Sequence, residues 1–98
     1  MDYETADWTE IRAGLKGSNQ IWYADTATAV TLRREAHAAA DECASIPAAT
    51  QLHVSEVTTG ERETAWCWVW GLPFSPYALA AGWVQVRQLR GFRRYEFD

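Results

Sequence analysis

In the run Ala65-Trp66-Cys67-Trp68-Val69-Trp70-Gly71, tryptophan occupies every second position, so all three indoles leave one face if the run is extended. The pattern predicts a strand from Glu63 to Trp70, paired with an earlier strand from Leu52 to Thr58 through a turn at Thr59-Gly60-Glu61. Loop parity sets the faces. An odd loop, with Gly60 as its left-handed residue, gathers Leu52, Val54 and the tryptophans on one apolar face; an even loop places the indoles beside Gln51, His53 and Ser55. The odd loop is expected, and with it a core role for the indoles.

Upstream, Asp7-Trp8-Thr9-Glu10 has the form of a capping box, and Trp8, Ile11 and Leu15 continue at helical spacing until Gly17. Gln20 to Ala24 reads as a strand. From Asp25 or Thr26 to Ser45, closed by Pro47, apolar positions step by threes and fours through Ala29, Leu32, Ala36, Ala39, Cys43 and Ile46. This predicts a long helix whose alanine stripe needs a bulky partner, which the tryptophan face would supply. Ser75-Pro76 to Gly82 reads as a short helix, Trp83 to Leu89 as a strand, Arg90-Gly91 as a turn and Phe92 to Phe97 as a last strand. The expected fold is a single α+β domain over residues 1–98, a mainly antiparallel sheet of about five strands packed on one long Ala-rich helix, with two short helices.

Composition suits a folded chain: 48% of the 98 residues are hydrophobic and 22% charged. The acidic start, MDYETADWTE, is unlike a secretory signal, and no apolar stretch approaches the length of a bilayer span, so a soluble cytoplasmic protein is expected. Cys43 and Cys67 then read as free thiols. A net charge of −4 disfavours sequence-independent nucleic-acid binding, although Arg87, Arg90, Arg93 and Arg94 make the C-terminal end locally basic.

No catalytic or metal-binding constellation assembles. His37 shares a predicted helix face with Arg33 and Asp41, His53 falls on the sheet face opposite Leu52 and Val54, and neither cysteine lies in a ligand-type spacing. A non-enzymatic protein without cofactor or metal is therefore expected. The order helix, helix, hairpin resembles in outline a winged-helix DNA-binding domain with Thr58 to Arg62 as its wing, which would imply a nucleic-acid-binding regulator. Glu61 and Glu63 flank Arg62 in that wing, and a C-terminal hairpin carrying Arg87, Arg90, Arg93 and Arg94 beside Phe92 and Tyr95 is the stronger form of that idea.

Six tryptophans, four tyrosines and three phenylalanines exceed what one small core should absorb. Trp22, Phe74, Tyr77 and Trp83 are the candidates for a partner-binding or ligand-binding surface, with a homodimer or partner-protein contact as the first reading. A Trp-lined cleft for a small molecule is the other.

Overall fold

The computed structural model describes residues 21–58 and 63–95. The expected first helix, the turn at Gly60 and the end of the last strand lie outside them. Seven strands run in chain order: β1 (Ile21–Thr26), β2 (Val30–Arg33), β3 (Glu42–Ile46), β4 (Gln51–Val57), β5 (Trp66–Gly71), β6 (Ala81–Gln85) and β7 (Leu89–Tyr95), with one 3-10 turn at Val86–Gln88 before β7. All pairings are antiparallel, in the order β3-β2-β6-β5-β4-β1-β7.

The sheet cannot be flat. Three connections, β1 to β2, β3 to β4 and β6 to β7, each join strands four places apart in that order. Four spacings span about 19 Å across a flat sheet, whereas three or four linking residues reach at most about 14 to 18 Å. The sheet therefore rolls, bringing β3, β2 and β6 over β4, β1 and β7, with β5 at the bend. Hydrogen bonds hold the crossings together. Ala27 N–H donates to the Gln88 carbonyl at 2.9 Å, and the buried Thr26 hydroxyl donates to the Pro47 carbonyl at 2.6 Å while accepting from Thr50 N–H at 3.0 Å.

All seven strands contribute to one core inside the roll, built on Trp22, Leu32, Ile46, Leu52, Val69, Val84 and Phe92. Gly71 and Gly82 face inward where the backbone is crowded. A Cβ on Gly71 would overlap the Tyr77 carbonyl, and one on Gly82 would lie 2.8 Å from Leu32 Cβ. Gly82 thus serves a close strand contact rather than ending a helix.

The fold is therefore all-β among the described residues, and the expected α+β architecture is overturned. The long helix is replaced by the β2–β3 hairpin, with residues 34–41 as its loop, and the second short helix by turns over residues 73–79. The long stripe was weak for a physical reason: its alanines bury little area, while Thr26, Thr28, Val30 and Thr31 are β-branched and favour extended backbone. Its two large members, Leu32 and Ile46, are buried in either conformation, but Ala29, Ala39 and Cys43 are exposed. Nor do β6 and β7 form the expected C-terminal hairpin, since β6 lies between β5 and β2 and β7 pairs with β1. Among the described residues no helix is long and apolar enough to cross a membrane.

Candidate functional site: the outer aromatic face

The alternation of β5 is resolved in favour of its small residues. Ala65, Cys67 and Val69 are fully buried in the roll, and Trp66, Trp68 and Trp70 lie half-buried on the outer face. The expected core role of the indoles is thus reversed, and the cause is a β-bulge. Close to the turn, Val57 pairs with Cys67 and Glu56 with Trp68, the parity of an odd loop. The register then slips between Val54 and Glu56, so that His53, not Val54, stands beside Trp70.

On the outer face the register builds rows of side chains. One row crosses β1, β4, β5 and β6 through Tyr23, His53, Trp70 and Ala81. His53 stacks on Trp70 with centroids 4.9 Å apart and planes inclined by 19°, and Tyr23 lies 4.9 Å from its other side. A second row crosses β4, β5, β6 and β2 through Glu56, Trp68, Trp83 and Arg33. Its two indoles meet edge to face at 5.8 Å, a favourable geometry for aromatic quadrupoles. Beyond it Trp66 pairs with Gln85. Rings fill the middle of the face, and charges stand at its margins: exposed Glu56 on one side, Arg33 on the other, and the Asp25–Arg93 pair beyond Tyr23.

Burial lowers the pKa of His53 from its ordinary 6.5, so the ring is neutral at pH 7, and its buried Nδ1 has no hydrogen-bond partner among the described residues. Burial also pushes the Cys67 thiol far up, away from nucleophilic reactivity. Among the described residues no three His, Cys, Asp or Glu side chains are grouped as a metal ion would need. A cavity of about 280 Å³ opens beside the face, lined in part by Thr31, Arg33, Trp66, Gln85 and Arg87. Trp66 is the one indole in its lining.

The residues singled out from the sequence are scattered. Trp22 is 2% exposed and belongs to the core. Trp83 lies on the outer face, where its alternation with buried Val84 and Val86 placed it. Phe74 stands wholly in solvent on a turn, and Tyr77 packs partly against the core. Of the arginines, Arg93 is held by two hydrogen bonds to the Asp25 carboxylate, at 3.1 and 3.3 Å, and by a third to the Gly91 carbonyl. Arg87 donates to Gln85 Oε1 and Arg90 is exposed, while Arg94 lies on β7 across from Trp22. Sequence reasoning did not bring Tyr23, Glu56 and Arg33 to this face. The available signal was the small size of Ala65, Cys67, Val69 and Gly71, which suits a narrow interior better than three indoles do.

No protein-family model, curated protein or solved structure matches the chain.

Proposed function

We propose that the protein is a non-enzymatic binding module whose working surface is the outer aromatic face of its sheet, and that it acts through contact with another protein surface. The observation that carries this reading is the outward direction of Trp66, Trp68 and Trp70 while an apolar core drawn from all seven strands lies behind them. Aromatic residues concentrate at the centres of protein interfaces and charges at their rims, the distribution found here. Nucleic-acid binding through the C-terminal arginines has less support, because Arg93 is already engaged by a carboxylate.

If the face exists for contact rather than folding, removing its rings should leave the fold standing. Trp68→Ser and Trp83→Ser, measured by denaturant unfolding in dilute solution, should each cost less than about 2 kcal/mol, against about 3 to 5 kcal/mol for Phe92→Ala in the core. An unfolded Trp68→Ser chain, or a cost equal to that of Phe92→Ala, would overturn the reading.

A further inference from the structure

We propose that the outer face closes on a second copy of the same chain about a two-fold axis that runs parallel to β5 and β6 and lies between them. This rests on the contact reading above and adds the partner and the symmetry. The rolled sheet is convex on this side, so two copies touch along a strip rather than over a plane, and the aromatic rows put that strip on β5 and β6. A two-fold axis along the strands reverses their order across the strip. Each residue therefore faces the residue equally far on the other side.

The register fixes what meets what. Trp68 of one copy lies over Trp83 of the other, and Trp70 lies over Ala81, where a methyl leaves room for an indole. One strand further out, Glu56 on β4 faces Arg33 on β2 of the second copy. Two ion pairs then flank the aromatic strip, related by the axis. An axis perpendicular to the strands and passing through this row would instead oppose Glu56 to Glu56 and Arg33 to Arg33, which like-charge repulsion disfavours. Neither group is committed to an ion pair among the described residues: Glu56 is exposed, and Arg33 uses one Nη1 hydrogen on the Ala40 carbonyl.

The test is the mass of the full chain in sedimentation equilibrium over a range of concentrations, with circular dichroism confirming the fold. The native chain should dimerise, Glu56→Arg and Arg33→Glu should each weaken the dimer by about tenfold or more, and the double reversal should restore it to within about threefold. Glu56→Arg breaks no hydrogen bond given above, so its result stands even if Arg33→Glu disturbs the Ala40 contact. A monomeric native chain, single reversals without effect, or a double variant no tighter than the singles would each overturn this dimer. None of these results decides the contact reading, which stands or falls on the unfolding comparison.

Discussion

His53 sits on the outer face in an environment unlike that of a free side chain. Its ring lies between Tyr23 and Trp70, and burial disfavours the imidazolium. Burial holds the folded pKa below the ordinary 6.5, so well above pH 6.5 the ring is uncharged in both states and does not affect stability. As pH falls through 6.5, the unfolded chain binds its proton first, and stability declines until the lower folded value has been passed. Melting temperatures measured from about pH 7.5 down to about pH 5 should fall more steeply in the native chain than in His53→Gln. Parallel profiles would show that the ring between Tyr23 and Trp70 pays no penalty for charging.

At the scale of elements, the crossings govern the architecture, and Thr26 holds two of them. Thr26→Val keeps the shape but strands the Thr50 N–H and leaves the Pro47 carbonyl with the Thr50 hydroxyl as its remaining donor, so it should cost about 1 to 3 kcal/mol in urea unfolding, while Thr26→Ser stays near the native value. A Thr26→Val chain as stable as the native would mean that the crossing does not depend on this hydroxyl. The same scale separates what was legible in the chain from what was not. Strands near β1, β4 and β5 were legible because aromatic and β-branched residues alternate there, and Trp83 was placed correctly against Val84 and Val86. The β2–β3 hairpin was not, since Leu32 and Ile46 satisfy helical and extended spacing alike and the alanines between them carry little information. The faces of β5 were also hidden. Both of its alternating sets are apolar, and the bulge beyond Val54 defeats any register counted from the turn alone.

At the scale of the whole roll, the tryptophans among the described residues fall into two uses. Trp22, with Phe92, fills the interior, and Trp66, Trp68, Trp70 and Trp83 cover the outside of the bend. In this account the large rings of AWCWVWG do not build the fold, and its small residues do. Hydroxyl-radical footprinting of dilute protein, read for each tryptophan by mass spectrometry, tests that division directly. Trp66, Trp68, Trp70 and Trp83 should be oxidised well ahead of Trp22; Trp68 and Trp70 as protected as Trp22 would place those indoles in the core and overturn the division.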